Sequence, residues 1–368
     1  MLLLFPFLFA CTNPEAVDSQ DSSPELDDTG DTGDTQDTDT DTGEPDACAE
    51  PKVTFIGEGG ASQDLTEFFS SGQYFTLAES GTVEVCPGEW FARVLIRANV
   101  EVVGLGTDRG ETILSGGEQG TILDISGPDV TVKVSNLTLD RGAGFDPNHN
   151  SGGGGIYCAQ QGVINVENVD FTRHFANDGS ALYARECTLN VSDSLFSNNV
   201  SEDDGGAVTL WNSTGSFTDV QISGNTSLDG GGVALFNSTL TGTRLTVADN
   251  VATSFAAGMW VYESTVALTD SAFTGNSNSG AAYGGGLLVY GSAELTRVRF
   301  AGNTSPLGGG LFVYVNANVS GTDCIFESNT PQDIFAHDST GTDGKGGISY
   351  TGSSSTNFAC AANACVLE

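Results

Sequence analysis

Basic residues are scarce. Lys and Arg number 12 against 48 Asp and Glu, a formal charge of −36, so the chain repels nucleic acid and anionic lipid headgroups and neither is expected as a direct partner. Histidine occurs three times, and no cysteine pair has zinc-ligand spacing with a histidine nearby. Segments with a helical hydrophobic period are missing as well. The apolar runs are as short as residues 245–247, 287–290 and 313–315, and Gly, Asn, Ser and Thr cut them off, which leaves β-structure as the content.

What is abundant is repetition. A Gly-Gly or Ala-Gly pair opens an apolar run, a polar turn follows, and a short strand closes on an aromatic or aliphatic residue with Asn three positions later. The glycines fall at Gly206, Gly232, Gly258, Gly286 and Gly310, the asparagines at Asn225, Asn250, Asn276, Asn303 and Asn329, a period of 24 to 28 residues. Such a repeat cannot bury its own apolar face but neighbours stacked on it can, so one elongated solenoid is expected rather than several globular domains. Three short strands and three bends fill this period, which is the coil of a parallel β-helix. The expected extent is residues 82–338, about nine or ten coils. Residues 51–81 form an N-terminal cap in which Asp64 to Phe69 suit a short helix, and residues 339–368 a C-terminal cap or tail.

Residues 1–10, MLLLFPFLFA, are apolar, too short to span a bilayer, and placed as a secretory signal. They lead into Leu8-Phe9-Ala10-Cys11, which resembles a bacterial lipobox and makes Cys11 the expected lipidation site. Thr12 after it favours the outer membrane, so the protein is expected to be exported and held at the outer membrane or cell surface. Residues 11–50 carry Asp-Thr-Gly units and no Lys or Arg before Lys52. Uniform charge and low hydrophobicity do not compensate the entropy of ordering, so this stretch reads as an extended, disordered acidic tether. Export permits disulfides. Cys48 with Cys86, Cys360 with Cys365 and Cys158 with Cys187 are the expected pairs, leaving Cys324 a thiol, although spacing alone does not fix connectivity.

Residues 83–90 (VEVCPGEW), 100–106 (VEVVGLG) and 113–117 (ILSGG) resemble the opening of bacterial pectin-lyase-like right-handed β-helix proteins. The later repeats are similar to the Gly-Gly-Ala-Ile and Phe-x-x-Asn repeats of chlamydial polymorphic membrane proteins. The resemblance covers roughly residues 82–335 and implies an all-β fold, a right-handed, single-stranded parallel β-helix. Equivalent residues of successive coils then stack in columns about 4.8 Å apart. One column is Phe171, Phe196, Ile222, Val247, Phe273, Phe300 and Phe326. Three residues later comes Asn199, Asn225, Asn250, Asn276, Asn303 and Asn329, with His174 in the same place one coil earlier, a structural amide ladder that also supplies the left-handed bend. Along the Gly-Gly strand, alternation sends Ile156, Leu182, Leu235, Val261, Val289 and Val313 inward. It sends Tyr157, Tyr183, Leu210, Phe236, Tyr262, Tyr290 and Tyr314 outward, flanked by Trp260 and Phe312.

An exposed aromatic row suits sugar rings or a protein partner. The expected function is therefore a lipid-anchored, non-enzymatic binding or adhesion module for carbohydrate or a cell-surface protein. The alternative, a polysaccharide lyase or other carbohydrate-active enzyme, follows from the resemblance. Polygalacturonase motifs Gly-His-Gly and Arg-Ile-Lys do not occur, and Asp203-Asp204 lies in a turn. A lyase would draw on Asp178, Asp204 and Asp229, which precede the glycines on consecutive coils and are the candidate Ca²⁺ ligands, with Arg173, Arg185 or Arg244 as base. No other cofactor is expected. His149 and His174 are isolated, and no Ser-His-Asp or Cys-His grouping is recognisable.

Overall fold

Asn, Asp and Gly recur at fixed places in each coil because three strand corners and the Gly-Gly turn each need a left-handed residue. In the coil that begins with strand Val208–Trp211, continues through Thr214–Thr218 and ends with Gln221–Ser223, the corner residues Asn212, Asp219 and Gly224 have φ of 48°, 56° and 67°. These residue types tolerate that region at least cost. Each strand pairs in parallel register with its counterpart one coil on: Val208 with Val233, Thr214 with Thr239, Gln221 with Thr246. A fourth, two-residue ladder runs from Ala143–Gly144 to Ser277–Asn278 as a separate six-stranded sheet.

The computed structural model describes residues 48–144, 152–280 and 283–336 with their side chains, and beyond them the backbone of strands Gly347–Thr351, Ser354–Ser355, Phe358–Cys360 and Cys365–Leu367. Cys11, the tether up to residue 47, His149 and the side chains of Cys360 and Cys365 lie outside the described residues. On the face that follows the Gly-Gly pairs, ten successive strands from Val94–Ile96 to Ile334–Ala336 delimit nine turns. Pairing extends further at both ends. Phe75–Leu77 already pairs in parallel with Val94–Ile96, inside the stretch expected to be cap, and Cys365–Leu367 still pairs in parallel beyond residue 338. The glycine and asparagine signature fades there, but parallel pairing needs only strand backbone. Over the first coil, Val53–Gly57 lies antiparallel on Gly81–Val85, and the helix Thr66–Ser71 buries Phe69. That helix begins two residues later than expected, because Asp64 Oδ1 accepts the Thr66 N–H at 2.8 Å from outside it.

Inside the coil Phe171, Phe196, Ile222, Val247, Phe273, Phe300 and Phe326 form a continuous buried column, with ring centroids 4.3 Å apart for Phe171 and Phe196 and 4.8 Å for Phe300 and Phe326. Beside it the side-chain amides run head to tail. The Nδ2 of Asn199, Asn225, Asn250, Asn276 and Asn303 each donates to the next Asn Oδ1 at 2.9 or 3.0 Å, and Asn329 Nδ2 donates to Asp333 Oδ1 at 2.8 Å. Each Oδ1 also accepts the backbone N–H of the preceding rung, as Asn250 does from Asn225 at 3.0 Å. Each Nδ2 reaches back to a carbonyl, as Asn225 does to Phe196 at 3.1 Å. His174 heads the column, its N–H donating to Asn199 Oδ1 and its Nδ1 accepting the Gly142 N–H, both at 3.0 Å. Burial holds its imidazole down at about 4, so it serves as a neutral rung.

The left-handed conformation expected of these asparagines belongs to the residue before each: Asn198, Gly224, Asp249, Gly275, Gly302 and Ser328. The rung itself must turn its amide inward, and the residue ahead of it absorbs the corner. A second ladder joins the first two faces, where Cys187, Ser213 and Ser238 N–H groups donate to Ser213, Ser238 and Ser264 Oγ at 3.0, 3.0 and 2.9 Å. Disulfides link Cys48 to Cys86 and Cys158 to Cys187, the second tying adjacent coils. The Cys324 thiol is buried, 3.5 Å from the Leu295 carbonyl.

Asn250→Ala removes the acceptor of two buried donors of Asn225. At about 1–3 kcal/mol for each orphaned group, urea unfolding should show a loss on the order of 3 kcal/mol, whereas Asp249→Ala at the adjacent corner should cost much less.

Candidate functional site

On each strand after a Gly-Gly pair the first and third residues point into the coil and the second and fourth point out, as in Val208–Trp211, where Leu210 is buried in the core cluster and Trp211 is 38% exposed. Leu210 therefore belongs to the inner set, and the expected single aromatic row is two. One column reads Tyr157, Tyr183, Thr209, Ala234, Trp260, Leu288, Phe312, Phe335; the other reads Arg185, Trp211, Phe236, Tyr262, Tyr290. Tyr314 follows the last strand, its ring centroid 5.1 Å from that of Tyr290. The residues expected as one exposed surface thus divide. Tyr157 and Tyr183 are a buried stacked pair, 5.7 Å apart with planes at 3°. Phe312 is wholly buried between Tyr283 and Phe335, and Phe236 is 7% exposed. Trp260, Tyr262, Tyr290 and Tyr314 remain partly open to solvent.

A third column forms the rim. It consists of the residue just before each left-handed position that opens the Gly-Gly turn: Asp178, Asp204, Asp229, then Phe255, Tyr283 and Leu307. It is acidic over three coils and apolar over the next three. In the apolar half, Phe255, Tyr283 and Leu307 pack with Trp260, Phe312 and Tyr314 around buried Leu288 and Ala256, an apolar cluster outside the coil. Phe255, Trp260, Tyr262, Leu288, Tyr290 and Tyr314 line a groove of about 340 Å³. Rings in a perfect column show solvent only their edges, but this column breaks. Tyr262 and Tyr290 stack with planes at 12°, whereas Tyr290 meets Tyr314 at 58°; Trp260, in the neighbouring column on the same strand, meets Tyr262 at 64° and stacks on Phe255 at 21°. Between Tyr290 and Tyr314 the rings therefore no longer lie face to face.

The acidic half is a separate cluster. Ligand oxygens of Asp178, Asp203 and Asp204 lie within 4.8 Å of one another. Asp229, expected as the third member, is not among them, because its Oδ1 accepts the Phe255 N–H at 2.6 Å and is drawn toward the groove. Burial, then the charges of Asp203, Asp178 and Asp229, push the Asp204 carboxyl up to about 8. Burial raises Asp178 to about 6 against a hydrogen bond from the Asp204 N–H. The neighbouring Tyr183 phenol is also pushed up, by burial and then by Asp178. Such a group relieves its repulsion by holding protons or a hard cation. Of the three arginines considered as bases, Arg185 is exposed with no ion pair among the described residues, whereas Arg173 Nε and Nη2 clasp Asp140 at 2.8 and 2.7 Å and Arg244 clasps Asp219 through both nitrogens at 2.5 Å. These hydrogen bonds raise both guanidinium pKa values, opposite to what a proton acceptor needs.

Residues 125–305 match the family model described as the right handed beta helix region. The coil is a right-handed β-helix. Among solved structures, the A-module of a mannuronan C-5 epimerase from Azotobacter vinelandii aligns at 14% identity and a TM-score of 0.29, over 74% of this chain and 86% of that one. A rice weevil pectin methyl esterase aligns at 10% identity and 0.27, over 76% and 82%. At these TM-scores neither likeness bears on activity. No curated protein sequence matches the chain.

Sequence reasoning missed Phe255, Tyr283, Leu307 and Leu288. The signal was present: Phe255, Tyr283 and Leu307 stand in the same place before the turn as Asp178, Asp204 and Asp229, but only the acidic members were read as a set.

The raised Asp204 and Asp178 carboxyls contribute stability that is complete below the unfolded-state value of 3.8 and is lost as pH rises through about 6 and about 8. Asp204→Asn should therefore melt higher than the parent at pH 8.5 in the presence of a chelator, and the two melting temperatures should converge near pH 3.5.

Proposed function

We propose that this β-helix is a surface-displayed, non-enzymatic carbohydrate-binding module, held to the membrane by a lipid on Cys11 and carried clear of it by the acidic tether. The observation that carries the reading is the groove lined by Trp260, Tyr262, Tyr290 and Tyr314, four partly exposed aromatic residues on adjacent coils whose stacking breaks at Tyr314. An aromatic face against the C–H face of a pyranose excludes water from both, and a phenol at its edge satisfies a sugar hydroxyl. Rigid strands hold these rings one coil apart, so little side-chain entropy is lost on binding. Both polysaccharide-active proteins among the solved structures share the fold class only, and the reading does not rest on them. A lyase at the aspartate cluster is the weaker reading, since Arg173 and Arg244 serve as ion-pair partners whose protons are held more tightly than usual, which leaves Arg185 as its one remaining base among those considered.

Tyr262→Ala combined with Tyr290→Ala should abolish binding on a glycan array without lowering the melting temperature as far as a core substitution such as Phe273→Ala does. Unchanged glycan binding would make the rings packing alone. For the anchor, the mature N-terminal peptide should begin at Cys11 and carry diacylglycerol and acyl mass; an unmodified Cys11 in the membrane fraction would sink that part.

A further inference from the structure

The charge around the groove restricts what kind of glycan fits it. Between residues 186 and 336 there are three basic residues, Arg244, Arg297 and Arg299, against fourteen Asp and Glu. All three are bound to carboxylates away from the groove strands: Arg244 to Asp219, Arg297 to Asp270 at 2.5 Å, and Arg299 to Glu327. None lines the groove. Arg185, in register with Trp211, marks the far end of the aromatic column from Tyr290. The rim meanwhile carries Asp178, Asp204 and Asp229, and Glu263 is exposed directly after Tyr262.

We infer that the groove takes an uncharged hexopyranose chain and rejects polyuronates. This rests on the carbohydrate-binding reading above and names its substrate class. A polyuronate brings one carboxylate per ring. Its recognition calls for arginine forks or lysines that offset the loss of hydration, and here each carboxylate would meet an apolar lining under a field of the same sign. A neutral chain loses only hydroxyl hydration, which phenols restore. The phenol hydroxyls of Tyr262 and Tyr290 make no protein hydrogen bond among the described residues, and the rings stand one coil apart with centroids separated by 5.0 Å, so these hydroxyls are available at successive positions along the rod. The same charge arrangement predicts indifference to ionic strength for the correct ligand, because no ion pair forms on binding.

The test is calorimetric titration of the intact protein with hexasaccharides of equal length: cellohexaose, mannohexaose and maltohexaose on one side, hexagalacturonate and hexamannuronate on the other. Each is run at low and high salt, with chelator and again with calcium. The expected result is binding of at least one neutral hexasaccharide, with salt changing its affinity by less than about twofold and Tyr262→Ala weakening it by roughly tenfold, the size of one lost aromatic contact. Uronate binding tighter than that of every neutral chain, with or without calcium, overturns the inference while leaving a carbohydrate-binding module in place. Neutral binding that survives Tyr262→Ala with Tyr290→Ala overturns it too, by moving the site elsewhere. Failure of both groups to bind removes the carbohydrate reading itself.

Discussion

Register between coils is the constraint on which the rest depends. Parallel pairing keeps residue i of one coil over its equivalent in the next, so any side chain that satisfies itself against its own kind can be repeated without limit. The amide ladder is the strictest case. An Asn rung is buried and uses its oxygen twice and its nitrogen twice, and a slip of one residue would present a β-strand's other face and leave several polar groups without partners. The Phe column tolerates Ile222 and Val247 in its midst because apolar packing is less demanding of shape than a hydrogen-bond chain is of geometry.

With the coil thus secured from inside, the outside is free to vary, and it does so in blocks. The rim column is acidic for three coils and apolar for the next three, although its backbone is left-handed at the same place throughout. Chemistry is therefore segregated along the rod rather than around it. Asp229 sits at the boundary and belongs to both halves, acidic by type but bonded to the backbone of Phe255.

How much of this was legible in the sequence depends on what each residue was there to satisfy. The repeat, the inward Phe column and the register of the asparagines could be read directly, since periodic burial leaves a periodic trace. The pairs Cys48–Cys86 and Cys158–Cys187 agree with the expected ones, although spacing alone left the connectivity open. The serine ladder was overlooked because Asn-Ser-Thr at 212–214 and 237–239 looks like ordinary turn composition. The outward aromatics misled for a different reason. Alternation gives the face of a strand but not what lies over it, so it did not separate Phe312, covered by Tyr283 and Phe335, from the open Tyr290. Nor did it show that Leu210 and Phe236 sit on opposite sides of the sheet, because Gly206 is the equivalent of Gly231 and not of Gly232, the third glycine of the later coil standing where the earlier one has Ala207. The carboxylate group at Asp178, Asp203 and Asp204 needed coordinates because repulsion and burial depend on distances that turn composition does not encode.

The amide ladder also has a direction. Every Nδ2 points toward the C-terminal end and every Oδ1 toward the N-terminal end, so the small dipoles add along the axis as peptide dipoles do along a helix. The donor end of this column meets Asp333, a buried carboxylate, and the acceptor end meets the backbone N–H of His174. A buried carboxyl oxygen thus accepts where the summed dipole is positive, which suits an acceptor with no amide of its own at that rung. An added Asn rung would lengthen the dipole without changing its sign, while Asp333 marks where the amide column stops although parallel pairing of strands goes on past it.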